Sequence, residues 1–270
     1  MTWSIIARDQ DTRQFGIAVA TRFFAVGALV PHIKSRTGAI ATQALVNSFY
    51  GTEGLRLLEQ GLSARDVVSA VTAADSGRDH RQLHVMDAQG RTAAHTGEAC
   101  LDWCGHISGG KISVAGNMLA GASVVEDTAA AYAENAALAF PRRLIAAMRA
   151  GESAGGDKRG RQSAALVICG DEEWPDLDLR VDDHPDPLAE LERLERVSRE
   201  SFVHFKRMLP SRRDRVGVID RGAIESAIAK AVAAEGPSRV PPIPCLKSKI
   251  SRSSFMAIAD GPRMRSIASI

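Results

Sequence analysis

Met1-Thr2-Trp3-Ser4-Ile5-Ile6-Ala7-Arg8 is the stretch around which the chain is organised. It reads as a β-strand that begins at the start codon, with no signal or lead-in expected before it. Met followed by the small Thr2 is the arrangement from which an initiator Met is trimmed. Trimming would give Thr2 a free α-amine beside its own hydroxyl, a nucleophile and a base in one residue. The plainer account of the same residues is a strand that happens to start early.

Outward from there, Asp9 to Gln14 is a polar turn, and Phe15, Ile17 and Val19 then alternate with Gly16, Ala18 and Ala20. This is a period-two strand with one bulky face and one small face, the small face admitting another backbone or a ligand. Gly38 to Gln43 gives another strand, after a segment from Phe23 to Pro31 that is extended or looped. Two helices follow: Tyr50 to Gln60, ending at Gly61, and one capped by Ser63 with Asp66 three residues on. Gln82 to Asp87 and Arg91 to Thr96 make a hairpin about Ala88-Gln89-Gly90.

Lys111 to Ala115 is a short strand that ends at a Gly116-Asn117 corner. Ser123-Val-Val-Glu126 reads as a capping box opening an Ala-rich helix. Phe140-Pro141 starts another helix, with Gly151 just past its end. Ser163 to Cys169 is a buried strand, and Leu177, Leu179 and Val181 alternate in a last one. Asp186-Pro187 opens a helix with Leu188, Leu191, Leu194, Ser198, Phe202 and Phe205 on one side. Strand blocks that alternate with helix pairs argue against a doubly wound parallel sheet. They predict an α+β protein with two mainly antiparallel sheets between helical layers.

Composition agrees with a soluble globular chain: 45% hydrophobic and 24% charged over 270 residues. No apolar run approaches the roughly 20 residues a membrane span needs, so no membrane partner is expected. The four cysteines, Cys100, Cys104, Cys169 and Cys245, make no disulfide framework, and a reduced, cytoplasmic setting is expected. Residues 211–270 carry eleven Lys/Arg against five Asp/Glu, whereas residues 1–210 carry 23 basic against 27 acidic groups. Nothing in the basic tail pairs base-stacking aromatics with its charge, so no nucleic-acid partner is expected. The expected division is a domain over 1–210 and a basic extension over 211–270, weakly ordered after about 236.

Several segments resemble one family in collinear order over roughly residues 1–208: the opening strand, Phe23-Phe-Ala-Val-Gly27, Ala41-Thr-Gln43 and Asn47 to Gly51. Arg81-Gln82, Gly116-Asn117-Met-Leu-Ala-Gly121, Gly155 to Ser163 and Val181-Asp-Asp-His-Pro185 continue it. The family is the domain-of-unknown-function family numbered 1028, of the Ntn-hydrolase-like superfamily. The resemblance implies a four-layer αββα sandwich, as in proteasome β-subunits and amidases of that superfamily. It implies a nucleophile at the mature N-terminus, on the first strand, facing the cleft between the sheets.

On that implication Thr2 is the catalytic nucleophile, its α-amine the base, and a small-molecule amide the substrate. Ser4 faces the same side but has no free amine, and is expected to support Thr2 by a hydrogen bond. Lys34, 32 residues after Thr2, stands near the separation at which a proteasome subunit places its catalytic lysine; Arg22 is the other candidate cation. Thr42-Gln43 and Asn117 are the candidate oxyanion donors, since an Asn after Gly can offer an αL N–H and an amide. Asp157 and Arg159 are expected to pair in a tight loop near the cleft, with Gln162 and Ser163 entering the strand behind it.

A phosphate-loop reading of Gly155 to Gly160 fails, because the stretch lacks a Gly-Lys-Ser/Thr ending and precedes a strand. Asp183 and His184 are candidate substrate contacts, with capping of the final helix as the plainer role. Asp182, Asp183 and His184 could form a metal site with His32, His80 or His84, and a metal-dependent hydrolase is the third reading, ranked below the first; no metal and no cofactor is expected. The fold often assembles, so a homo-oligomer stays open. The rival from another class is a non-catalytic binding or assembly protein of the same fold.

Overall fold

The computed structural model describes residues 2–235. Its strands are, in chain order, β1 (Thr2–Arg8), β2 (Phe15–Thr21), β3 (Pro31–Lys34), β4 (Gly38–Ala44), β5 (Arg81–Asp87), β6 (Thr92–Thr96), β7 (Trp103–Gly109), β8 (Ile112–Leu119), β9 (Ser163–Cys169) and β10 (Leu177–Val181). Its helices are α1 (Ser48–Glu59), α2 (Ala64–Ala73), α3 (Ser123–Glu134), α4 (Phe140–Ser153), α5 (Pro187–Ser198), α6 (Phe202–Lys206) and α7 (Arg221–Glu235). Among the described residues the fold is thus mixed α+β, with two antiparallel sheets. One has the order β10-β9-β2-β1-β8-β7 and the other β3-β4-β5-β6.

β1 lies inside the larger sheet, paired with β2 on one side and β8 on the other. Successive side chains of a strand point to opposite faces. Trp3, Ile5 and Ala7 therefore join a cluster with Val124 and Val125 of α3 and Leu144, Ile145 and Met148 of α4. Ile6 points the other way and meets Ile17, Val19, Ala39, Ala41 and Met86, which come from both sheets. A third cluster joins Ile40, Leu83 and Val85 of the smaller sheet to Tyr50 and Leu58 of α1 and Val67 and Val71 of α2. Thr2 and Ser4 share the parity of Ile6, so their side chains enter the space between the sheets.

Local chemistry sets most element ends. Asn47 caps α1 by accepting from the Phe49 N–H, Ser63 caps α2 from the Asp66 N–H, and Asp186 caps α5 from the Ala189 N–H. The capping box expected at Ser123 does not form. Ser123 is already helical, and Ala122 occupies the cap in αR conformation without a side-chain bond. β8 does not stop at Gly116-Asn117 but runs to Leu119, and the positive φ falls on Met118 rather than Asn117.

β7 carries no alternation in the sequence because it is half-buried along its whole length. The long final helix divides into α5 and α6, where the His204 ring meets the Arg199 carbonyl at 3.0 Å and takes up that helix-end acceptor. The expected weak order after about 236 concerns residues outside those described.

Gly151 lies within α4 rather than past its end. A Cβ there would stand 2.2 Å from Thr128 Oγ1, 2.9 Å from Trp3 Nε1 and 3.0 Å from the Val124 carbonyl. Helix propensity favours Ala over Gly by about 1 kcal/mol, but overpacking of this kind costs about 1–3 kcal/mol. Thr128 is itself bonded to the Val124 carbonyl and has little room to give way. Gly151→Ala is expected to lower the thermal midpoint; a midpoint raised in a melting experiment would show that α3 and α4 separate easily.

Candidate active site

Thr2 stands at the head of β1, opposite Asn117 of β8, and only 6% of it is exposed. Its hydroxyl donates to Thr21 Oγ1 at 3.2 Å, and Thr21 Oγ1 donates in turn to Asp157 Oδ2 at 3.4 Å. The Asp157 carboxylate, 3% exposed, also accepts from the Arg22 N–H at 2.7 Å and the Arg159 N–H at 2.9 Å. The Arg159 guanidinium completes the set at 3.1 and 3.3 Å. A buried carboxylate needs such partners to remain charged. A bridge between Leu119 and Asp157 ties the loop to the end of β8.

Beside Thr2 lies a cluster of three buried amides whose orientation is fixed by backbone carbonyls, which can only accept. Gln82 Nε2 faces the carbonyls of Gly105 and Gly116 at 3.2 and 2.9 Å, so its Oε1 must face Gln43 and Asn117. That oxygen accepts from Gln43 Nε2 at 2.8 Å and Asn117 Nδ2 at 3.0 Å. Gln43 Nε2 also meets the Ala115 carbonyl at 3.1 Å, and both amides reach the Thr2 carbonyl at 3.4 Å. The side-chain N–H groups of Gln43 and Asn117 are therefore committed to holding the head of β1. They are positioned to orient Thr2 rather than to receive an oxyanion.

The same logic runs deeper between the sheets. Gln43 Nε2 is pinned, so its Oε1 accepts the Ser4 hydroxyl proton at 2.8 Å. His84 Nε2, 2.8 Å from Ser4 Oγ, must then be the donor, and its bare Nδ1 accepts from Ser113 Oγ at 3.0 Å. Ser113 accepts in turn from Ser108 at 2.9 Å. Ser4, His84 and Ser113 are fully buried. Burial, and then the nearby His106, hold the His84 ring well below its usual range, at about 3, so it is neutral. With its proton aimed at Gln43, Ser4 is not activated by His84. Its support of Thr2 passes through Gln43.

The profile of a family of unknown function, DUF1028, matches residues 2–191. This chain belongs to the DUF1028 family. A solved DUF1028 member, the protein SPO2555 from Silicibacter pomeroyi, is 35% identical with a TM-score of 0.75, over 81% of this chain and 99% of that one. The ancestral β-subunit Anbu from Yersinia bercovieri matches at 12% identity and a TM-score of 0.36, over 77% of this chain and 98% of that one. No curated protein matches this chain.

The DUF1028 fold does not bring every candidate residue to Thr2. Lys34 pairs with Gly38, five residues along β4 from Gln43 and so about 16 Å away at the strand rise. It is 45% exposed, with its ammonium on Glu59 at 2.6 Å. Thr42 Oγ1 turns to the Asn47 carbonyl. Arg22 lies at the rim, its guanidinium on Gln162 Oε1 at 2.6 Å, and Gln162 reaches Asp183 at 3.1 Å. His184 Nδ1 accepts from the Asp186 N–H, which leaves Asp183 and His184 at the border of the Asp157 loop. Among the described residues no three His, Cys, Asp or Glu side chains form a metal-holding group, and no helix is long and apolar enough to cross a membrane.

Two measurements test this arrangement. Gln82→Leu removes an acceptor from two buried amides, and each orphaned donor costs about 1–3 kcal/mol. Urea denaturation should show a loss in that range or above, and a neutral result would mean the amides re-pair. His84 is neutral in the fold, while the unfolded chain binds its proton below about 6.5, so stability is full above that pH. It falls as acid carries the protein from 6.5 towards 3, by about 1.4 kcal/mol per pH unit. His84→Gln should flatten that part of the stability profile, and an unchanged slope would assign the acid sensitivity to other groups.

Proposed function

We propose that this chain is an N-terminal-nucleophile hydrolase that cleaves a small amide through an acyl-enzyme on Thr2, once Met1 has been removed. The three apolar clusters then stack as an αββα sandwich of the Ntn-hydrolase-like kind. The observation that carries the reading is the Thr2 hydroxyl at the head of an interior strand, leading the chain Thr2–Thr21–Asp157–Arg159. A free amine on Thr2 takes the hydroxyl proton as the oxygen attacks the substrate carbonyl. The tetrahedral intermediate collapses to an ester on Thr2, and the ammonium returns the proton to the leaving amine. Water, activated by the same amine, releases the acid.

In this reading Arg159 takes the role of the nearby cation, in place of Lys34, and Asp157 fixes both Arg159 and the Thr21 hydroxyl. Gln43 and Asn117 hold the Thr2 carbonyl so that the hydroxyl keeps one direction. Arg22, Asp183 and His184 border the approach and are the substrate-facing rim. A second reading, a non-catalytic binding protein of the same fold, is favoured by one observation: the side-chain amides nearest Thr2 already bond its own carbonyl.

Intact-mass measurement and a β-lactone that acylates N-terminal Thr separate the two. The expected outcome is loss of Met1 and a single adduct on the tryptic peptide 2–8, absent in Thr2→Ala. Asp157→Asn should slow adduct formation by about 100-fold, the low end of what a lost proton-transfer partner costs. Retained Met1, or an adduct elsewhere on the chain, decides for the binding protein.

A further inference from the structure

Cys100 and Cys104 belong to none of the chemistry above, yet they sit on a turn tied to three parts of the Thr2 site. Both are free thiols and partly exposed. The Leu101 carbonyl accepts from the Met118 N–H at 3.2 Å, one residue from Asn117. Cys100 Sγ lies 3.5 Å from the Arg81 carbonyl, one residue from Gln82. Asp102 pairs with Lys158 at 3.4 Å, beside Asp157 and Arg159. The turn bends sharply, with Asp102 at a φ of 54°.

Cys104 falls at the register break of β7, between Trp103 paired to Leu119 and Gly105 paired to Gly116. One residue of β7, Cys104, thus faces two of β8, Asn117 and Met118, so the extra residue of this bulge is on β8 next to the partner of Thr2, and bulges recur beside functional sites. The Cys104 Sγ–H donates to the Cys100 carbonyl at 3.8 Å and the Cys100 Sγ–H to the Arg81 carbonyl at 3.5 Å, which sets the two thiols next to each other on one turn. The neighbouring Cys100 lowers Cys104 to about 7 while Cys100 is itself raised, so Cys104 is the readier of the two to ionise. Cys169, by contrast, is buried in a strand and burial pushes its thiol up to about 12.

We propose that Cys100 and Cys104 form a reversible dithiol–disulfide pair whose state is passed to the Thr2 site through the turn that carries them. The oxidant is a small-molecule disulfide such as glutathione disulfide. The Cys104 thiolate attacks one of its sulfurs, forming a mixed disulfide and releasing one glutathione thiolate. Cys100, losing its proton, attacks the Cys104 sulfur, closes the intramolecular bond and releases the second glutathione. Two electrons pass from the cysteine pair to the glutathione disulfide, and the two thiol protons end on the two glutathiones. Closing the bond removes the Cys100 proton that the Arg81 carbonyl accepts and draws the turn inward against its two remaining ties, at Met118 and Lys158. The inference does not depend on Thr2 being a nucleophile.

Trypsin releases both cysteines on one peptide, residues 92–111. After incubation of the full chain with glutathione disulfide, this peptide should lose two hydrogens by mass, dithiothreitol should restore them, and Cys169 should stay reduced. Cys100→Ser should stop the reaction at a glutathione adduct on Cys104. Hydrogen exchange at the Met118 amide should change several-fold between the two states. A peptide that stays fully reduced overturns the pair, as does glutathione on Cys100 in place of Cys104 in the wild-type chain. A disulfide that leaves Met118 exchange unaltered overturns the link to the site.

Discussion

Gln82 Oε1 accepts two hydrogen bonds from amides that belong to different sheets, Gln43 on β4 and Asn117 on β8. That one oxygen stitches the sheets together at the end where Thr2 lies. In a dry interior the arrangement is all or nothing. Each bond contributes only about 1 kcal/mol net, but each amide left without an acceptor costs about as much again or more. Asn117 then turns its remaining hydrogen on the Thr2 carbonyl, and Gln43 shares its own between that carbonyl and Ala115, so the geometry of the first residue of β1 follows from the state of a side chain on β5. Apolar packing of Ile6, Ile17 and Met86 closes the same gap further along and keeps water from competing.

On the other side of Thr2 the organisation is ionic. Asp157 is buried and ringed by donors: two backbone N–H groups, the Thr21 hydroxyl and the Arg159 guanidinium. The backbone donors make this carboxylate a fixed post rather than a swinging arm, and the Arg159 head, 38% exposed, still meets solvent. The Thr2 hydroxyl is thus held between a neutral amide network and a charge pair, with Thr21 as the one intermediary to the charge.

The framework was legible because it rests on local signals: alternation in β1, β2 and β4, the Ala88-Gln89-Gly90 turn, and the caps at Ser63 and Asp186. β7 was not, since a half-buried strand of small and polar residues has no period to read. Asn117 looked like a corner residue because Gly116 precedes it. Gly116 is instead in the strand, where a Cβ would stand 2.4 Å from Leu119. Lys34 was chosen on sequence separation alone, which does not measure distance across a hairpin, and the register places it opposite Gly38.

Gln82 and His84 left a trace in the sequence. They alternate with Leu83 and Val85, so β5 has one apolar face and one polar face although every residue from Gln82 to Asp87 is buried. A polar face on a buried strand marks an internal network, but its partners lie up to 80 residues away in the chain and only the fold reveals them.

The fixed donor order from Ser108 through Ser113, His84 and Ser4 to Gln43 has an electrical meaning as well. Each hydrogen points the same way, so the bond dipoles add, and hydrogen bonds in such a row polarise one another. The positive end of the row is the Gln43 N–H at the Thr2 carbonyl. A positive potential held there in a low-dielectric space lowers the proton affinity of any basic nitrogen beside it. The protein interior thereby carries a built-in positive potential at the Thr2 carbonyl, set by the direction of three hydroxyls and one imidazole.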